Sequence, residues 1–484
     1  MAAARRGALE AALARAEARP RRWLIALGLL PALQISAMWY ATLDGVAYLS
    51  IARRLAAGAA PMRLGDAQLG YPLGYPLIIS PAFLTGARPW LVLAVLHYLL
   101  AVVLLLGVQR WARQRLGAAG IWVTALVMVN VNVWILYRRT LSEAAFCAVM
   151  IWTVLALDRL LGTLADGDAA RRSLAAASLV AVPLLILLTA VREVGLLFAA
   201  GFAVALGARV WRGALAWRAA LPALAAVAMV GGVAIGVVRP ERLAAAGPAF
   251  AGRLVGYADA ATAVDGSLGE RLRLRVTEIG QLLVPGMFKA YGDGWLDLNQ
   301  LVFVPLCAAV AFGWWALWRR GADVLTATAP LYLGVYLAWP YAGGTRYLLP
   351  LLPLFWACVW EAGAPLRRRR TTFALLAVAH LGVALGYLVV IDAPRARACD
   401  RHWPTVDRLA ARIAAAGGAV TAAGVPSCVR LMFELSLDRP VREARAGEAV
   451  APDTIWLLTP QASAAVDGFV PSAADGDYAV ARRR

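Results

Sequence analysis

"WLIALGLLPALQISAMWYATLDGVAYLSIARRLAAG", residues 23–58, joins a long apolar run to a carboxylate and then to an amphipathic segment. As a helix, the run from Trp23 to Ala41 is about 28 Å long. That suffices to cross a bilayer core of about 30 Å. A basic tail precedes it, carrying Arg5, Arg6, Arg15, Arg19, Arg21 and Arg22. The exit of the run lacks the small-x-small pattern of a cleaved leader, so it is expected to stay as a first span. Immediately after it stands Asp44, where an apolar chain has little reason to place a charge.

The rest of the chain repeats the apolar block. Its 484 residues are 61% hydrophobic, with mean hydropathy +0.67. Soluble domains hold about 45–50% apolar residues. The excess is gathered into eleven expected spans, centred near residues 32, 99, 128, 151, 182, 201, 229, 308, 333, 355 and 381. The stretch from Ser173 to Gly207 would be about 52 Å long as one helix. That is too long for one crossing, and "TAVREVG" (Thr189–Gly195) is expected to divide it into two. The fold class is therefore an all-α polytopic membrane protein.

Net charge is +19, nearly all of it arginine, with Lys289 the only lysine. The arginines form short clusters between apolar blocks. Such clusters orient membrane proteins, and they lack the aromatic interleaving of a nucleic-acid surface. No nucleic-acid partner is expected. With the N-terminus in the cytoplasm, one side collects the basic tail, Arg110, Arg113, Arg115, Arg171, Arg172, Arg209, Arg212, Arg319, Arg320 and the run Arg367 to Arg370. The opposite short loops hold only Arg138, Arg139, Arg192 and Arg346. An odd span count then puts the C-terminus on the periplasmic or extracellular side of a bacterial inner membrane.

Three parts follow: a cytoplasmic basic tail (1–22), a transmembrane domain (23–391) with outer loops 41–88 and 239–298, and a C-terminal unit (392–484). That unit reads as small and α/β, with a helix over Val406–Ala416 and buried strands over Gly418–Gly424 and Asp453–Thr459. Cys399 and Cys428 lie in it, either as a disulfide in an oxidising compartment or as two thiols. No CxxC or Cys/His metal spacing occurs. In the first loop, "YPLGYPLIISPAFL" (Tyr71–Leu84) is too short and proline-rich to span. It is expected as a juxtamembrane element with Tyr71 and Tyr75 at headgroup depth.

Ionisable groups at membrane depth are costly and mark function by default. Asp44, Arg138, Arg139, Glu143, Arg192, Glu193 and Arg346 all fall on the expected outer face. On a helical projection Tyr48, Ile51 and Leu55 lie within about 40° of Asp44, and Arg53 lies opposite. Asp44 is thus either a general base held against the bundle or an N-cap. Glu143 closes a T-x-x-E pattern with Thr140, which is also a capping box. Arg138 and Arg139 suit bidentate contact with a phosphate, or snorkel to headgroups. Arg192 and Glu193 lie on the expected turn. "GGTRYLLPLLP" (Gly343–Pro353) places Arg346 and Tyr347 where the chain re-enters the membrane. No Walker loop, G-x-S-x-G or H-E-x-x-H pattern is present.

Four stretches together carry a resemblance: "LDGVAYLSIARRLAAG", "YPLGYPLIIS", "YRRTLSEAAF" and "TRYLLPLLPLF". Over residues 20–390 the chain resembles the polytopic glycosyltransferases of the C-type fold that use polyprenyl-phosphate sugars. These include the protein O-mannosyltransferases and the lipid A aminoarabinose transferase. The resemblance implies an inverting transfer of a hexosyl or pentosyl group from a lipid-linked donor to an envelope acceptor (glycan, lipid or protein) at the outer face. It implies Asp44 as the base that activates the acceptor hydroxyl; Glu143 is the candidate second catalytic acid, with Glu193 or no second acid as the alternatives. Arg138, Arg139, Arg192, Glu193, Arg346, Tyr347, Tyr71 and Tyr75 form the candidate substrate-binding set. No cofactor and no metal ligand are expected, the lipid-linked sugar being a substrate. Relatives often show an acidic pair in the first-loop motif, whereas this chain has Asp44-Gly45. The alternative is a transporter or lipid flippase of the envelope, which predicts midplane polar groups and repeated halves.

Overall fold

The computed structural model describes residues 2–39, 42–62, 64, 71–86, 88–165, 171–238, 268–284, 296–338, 344–366, 368–416, 419–423, 425–443, 455–458, 469–475 and 478–483. A helical segment lies at each of the eleven expected centres. Six of the described helices are long and apolar enough to cross a bilayer on length and composition alone. The other crossings are shorter or interrupted, and each interruption has a local cause.

The first crossing follows α1 (Ala2–Ala18) and consists of α2 (Pro20–Leu29) and a 3-10 turn over Leu30–Gln34. The sequence led us to expect helix as far as Ala41. Pro31 has no amide hydrogen to continue the α-helical ladder, and the chain is extended at Ile35. Next come α3 (Leu43–Ala56) and α4 (Gly74–Ile79), neither of which crosses. The long α5 (Trp90–Leu116) returns to the arginine-rich end. One passage is split into α6 (Gly120–Met128) and α7 (Val131–Arg138), because Asn130 leaves the helix and caps the second half through Asn132 N.

Helices α8 (Ser142–Ala165), α9 (Arg171–Val191), α10 (Leu196–Trp211) and α11 (Trp217–Val238) follow. The expected break within 173–207 is present: Arg192 is extended, and a 3-10 turn over Glu193–Gly195 starts α10. Most of the second expected outer loop, 239–267 and 285–295, lies outside the described residues. Between these parts α12 (Leu268–Leu283) packs into the bundle, where the Leu282 carbonyl accepts from Asn130 Nδ2 at 2.7 Å. This part of the expected outer loop is therefore a helix packed against the bundle. The last crossings are α13 (Leu296–Arg320), α14 (Val324–Ala338), a 3-10 turn over Thr345–Leu351 leading into α15 (Leu352–Ala362), and α16 (Arg369–Tyr387).

At the arginine-rich end the helices are fastened by ion pairs. Arg115 of α5 reaches Asp158 of α8 at 3.1 Å and Asp323, just before α14, at 2.6 Å. Asp158 also accepts from Val324 N, and Asp323 from Thr326 N, so the same carboxylates cap α14. Glu17 of α1 accepts from Arg370 and from Trp122 Nε1, both at 2.8 Å.

The C-terminal unit docks on the opposite end. It holds α17 (Ala393–Asp400), α18 (Trp403–Ala416) and α19 (Ser427–Leu437) beside a five-stranded sheet. Its strands are β1 (Val420–Ala423), β2 (Val441–Glu443), β3 (Ile455–Leu458), β4 (Phe469–Asp475) and β5 (Tyr478–Arg483). The order is β2-β1-β3-β5-β4, parallel across β2-β1-β3 and antiparallel across β3-β5-β4. The sequence reading contained only the helix and the strands that became β1 and β3. Short β2 and the charged hairpin β4–β5 carry little apolar alternation. Asp438, in the left-handed region at φ 52°, holds the unit to α3. It accepts from Ser50 Oγ at 2.6 Å and Arg54 Nε at 2.7 Å, with Arg53 at 3.3 Å. Trp403 stacks on Trp39 and Trp90. Cys399 and Cys428 are both thiols. The Cys399 thiol donates to the Cys428 sulfur and pulls the Cys428 pKa down to about 7.

Candidate active site

Thr42 opens α3 as its N-cap, its Oγ1 accepting from Gly45 N at 3.1 Å. That corrects the capping explanation for Asp44, which sits in the first turn of the helix and directs its carboxylate outward. Asp44 Oδ1 accepts from the Tyr71 hydroxyl at 3.0 Å, and Oδ2 from Arg346 Nη1 at 2.9 Å. Gly45 leaves no room for a second acid. A Cβ there would stand 2.6 Å from Thr42 Oγ1 and 3.2 Å from the Thr140 carbonyl oxygen.

The second carboxylate comes instead from α8. Glu143 Oε1 pairs with Arg192 Nη1 at 2.5 Å and lies 3.7 Å from Arg346 Nε. The capping-box alternative for Glu143 is thereby corrected: its carboxylate turns to the arginines, and Thr140 Oγ1 accepts from Trp39 Nε1. Asp44 and Glu143 each occupy the first turn of a helix, where the macrodipole favours a negative charge. Arg346 thus bridges two acids that are 99 positions apart in sequence, and with Arg192 it makes the cluster charge-balanced. The Tyr347 ring takes both guanidinium groups, at 5.0 Å for Arg192 and 4.8 Å for Arg346. Tyr48 donates to Ser142 Oγ at 3.0 Å, which also accepts from Arg192.

Arg346 is placed by a support that the sequence reading missed. Gly344, at φ 69°, makes the sharp entry into the 3-10 turn that carries Thr345, Arg346 and Tyr347. Only glycine adopts that conformation without steric cost. Gly344 N donates to Glu278 Oε1 at 3.0 Å. Buried Glu278, on α12, is paired in turn with Arg275 at 2.6 Å and takes the Tyr336 hydroxyl at 2.8 Å. The only sequence signal for it was the amphipathic run "ERLRLRVTEIGQLL", read as loop.

The remaining candidates divide. Arg139 stays at the site and donates to the Tyr387 hydroxyl at 3.2 Å. Arg138 does not: it is buried, paired with Asp392 at 2.9 Å and donating to the Gln34 carbonyl at 3.0 Å. It ties α7 to the end of the last crossing, so of the two arginines expected to grip a phosphate only Arg139 lines the cavity described below. Tyr75 is fully buried with its hydroxyl 2.9 Å from His97 Nε2, and packs edge-on against Tyr48. Tyr71 also touches Tyr48. Both tyrosines therefore face protein and not headgroups. Glu193 opens the 3-10 turn beside Arg192 and does not line the cavity described next.

Asp44, Arg139 and Arg346 stand on the wall of a cavity of about 700 Å³. Its apolar lining comes from Val131, Ile135, Leu136, Val284 and Leu349. Asn132, Gln281, Thr345 and His380 add hydrogen-bonding groups. The cavity thus offers cationic groups beside a carboxylate together with apolar surface. Among the described residues no three His, Cys, Asp or Glu side chains gather as a metal site.

The sequence matches no family model and no curated protein. The fold has solved counterparts. ArnT from Cupriavidus metallidurans bound to undecaprenyl phosphate is similar with a TM-score of 0.53 at 14% identity, over 95% of this chain and 97% of that one. Its apo form gives 0.54 at 15% identity, over the same shares. An archaeal oligosaccharyltransferase, AglB from Archaeoglobus fulgidus, in complex with an inhibitory peptide and a dolichol-phosphate, gives 0.50 at 12% identity. There the likeness covers 88% of this chain and 65% of AglB. The architecture is thus the polytopic C-type fold that the four sequence stretches implied.

Proposed function

We propose that this protein is a membrane glycosyltransferase that moves a sugar from a polyprenyl-phosphate donor to a hydroxyl of an envelope acceptor. The observation that carries the reading is the Asp44–Arg346 pair on the wall of a cavity that is also lined by apolar side chains. A carboxylate that can take a proton and a guanidinium that can take a phosphate stand 2.9 Å apart, beside space for a lipid chain. A solved counterpart of the same fold, ArnT from Cupriavidus metallidurans, holds undecaprenyl phosphate.

In this mechanism the acceptor hydroxyl donates its proton to Asp44 as its oxygen forms the new bond to the anomeric carbon. The bond from that carbon to the phosphate oxygen breaks on the far side, so the configuration inverts. The electron pair leaves on the polyprenyl phosphate, whose added charge is met by Arg346 and Arg139. Positioned cations of this kind act where charge develops. Arg346 exchanges a carboxylate for the phosphate, while Glu143, already neutralised by Arg192, keeps the guanidinium in place. Asp44 is the proposed base, and Glu143 positions Arg346.

The proposed location is a bacterial inner membrane, with the site and the C-terminal unit on the outer side. The arginine-rich end then faces the cytoplasm, in accord with the positive-inside bias. The transporter alternative draws no support from the described residues, whose charged clusters lie at the two ends of the bundle.

The test is release of polyprenyl phosphate by purified protein in proteoliposomes supplied with polyprenyl-phosphate sugars and an envelope extract. Asp44→Asn should lower turnover by about 10²–10⁴-fold, the usual contribution of a positioned base. Wild-type turnover in that variant would remove Asp44 from the chemistry.

A further inference from the structure

A second cavity lies at the arginine-rich end, remote from the site above. It has a volume of about 470 Å³ and opens between α5, α8, α9 and α10. Arg110 and Arg115 of α5, Arg159 of α8 and Arg209 of α10 converge on it. Arg115 is already neutralised by Asp158 and Asp323, and Arg209 donates to the Leu161 carbonyl. Arg110 and Arg159 are different. Both are exposed, and neither guanidinium has a hydrogen bond or ion pair with any described residue, the Arg159 carbonyl alone accepting from Thr163 Oγ1. Among the described residues, the positive charge of the rim is thus only partly compensated.

The wall behind these arginines is apolar. Trp152, Leu155, Ala177, Val180 and Leu184 line it. Trp152 lies seven residues before Arg159 on the same helix, which is about 10 Å along its axis. Its indole nitrogen is spent on the Val103 carbonyl at 3.0 Å, so it presents only its ring to a ligand. Exposed Val103 and Leu99 continue the apolar surface along α5 towards the bundle middle, and exposed Leu187 continues it along α9. A ligand that fits must carry an anionic group at one end and hydrocarbon about 10 Å deeper, matching the helical spacing.

We infer that this groove binds an anionic phospholipid of the leaflet opposite the Asp44 site, with its phosphate held by Arg110 and Arg159. A zwitterionic lipid brings its own cation to the rim and gains less. A soluble phosphate meets the same two arginines but leaves the Trp152 wall bare. The inference stands apart from the glycosyltransferase reading, since it uses none of the groups around Asp44.

Native mass spectrometry of the delipidated full-length protein in detergent tests it, with dioleoyl phosphatidylglycerol and dioleoyl phosphatidylcholine as probes. Wild type should retain at least tenfold more phosphatidylglycerol adduct at equal lipid. The preference should vanish in Arg110→Glu with Arg159→Glu. The milder pair Arg110→Gln with Arg159→Gln should lose most of it, and serves if the charge-reversed protein fails to fold. Trp152→Ala should weaken retention of both lipids. Equal adducts in wild type, unchanged preference in the glutamine pair, or displacement of bound phosphatidylglycerol by millimolar inorganic phosphate would each overturn the assignment.

Discussion

The two ends of the bundle carry the same ingredients and use them differently. At one end Arg115 joins Asp158 and Asp323; at the other Arg346 joins Asp44 and Glu143. In the first network Asp323 is 1% exposed, and both carboxylates also cap α14 through backbone amides. The partners of Arg115 there are all protein, although Arg115 and Asp158 also border the second cavity. In the second, Asp44 and Arg346 keep 28% and 35% of their side-chain surface and face a large cavity. An arginine between two carboxylates therefore does not mark a site by itself. What marks it is a pair that can exchange its protein partner for a ligand without leaving a buried charge alone, because a stranded charge costs several kcal/mol.

That contrast can be broken by substitution at each end. The largest effect is expected from Asp44→Asn, with about 10²–10⁴-fold slower sugar transfer and an unchanged thermal midpoint in detergent. Loss of stability on that change would make Asp44 a structural residue like Asp323. Arg115→Met should do the reverse. It strands two enclosed carboxylates and should destabilise the protein by about 3–5 kcal/mol, read as a lower thermal midpoint. The fraction that stays folded should transfer sugar at the wild-type rate.

A smaller effect probes how the open end is held. Glu278→Gln keeps the shape but weakens the hold on Gly344 and Arg275. We expect about a tenfold drop in kcat/KM, the scale of a lost charged hydrogen bond of about 1.4 kcal/mol. The loss should fall on donor KM more than on kcat, since Glu278 touches the turn and not the reacting atoms. Glu278→Ala should lower the thermal midpoint as well, by removing a buried carboxylate that pairs with Arg275. The smallest effect concerns the docked unit. Alkylation of Cys428 by iodoacetamide should rise with pH through about 7, where its thiolate forms. In Cys399→Ala the midpoint should move up towards the usual thiol range of about 8.5, because the donated hydrogen bond is gone.

Some of this was legible early. Apolar blocks of span length decide a membrane fold whatever their neighbours are, and a proline or an Arg-Glu turn interrupts a helix locally. Asp44 drew notice for the same reason, as a charge at the end of a greasy run. The reading failed where the cause was distant. Arg138 and Arg139 are adjacent and alike in sequence, yet Asp392, 254 positions away from Arg138, buries one and leaves the other beside the cavity. Tyr75 suited a headgroup by type and sits in the core because His97 on α5 meets its hydroxyl. Glu278 looked like one of many acids in a long polar segment until α12 was found packed under the Gly344 turn.

The sequence by itself determined that the chain is a multi-pass helical membrane protein, where its charges gather and which carboxylate opens the first loop. These follow from hydropathy and local backbone chemistry, which act over a few residues. Only the tertiary structure decided which acid is bridged to Asp44, which arginine faces the cavity and which is locked away. Those outcomes depend on charges brought within about 4 Å, where an ion pair forms, and no periodicity encodes that distance for residues a hundred or three hundred positions apart.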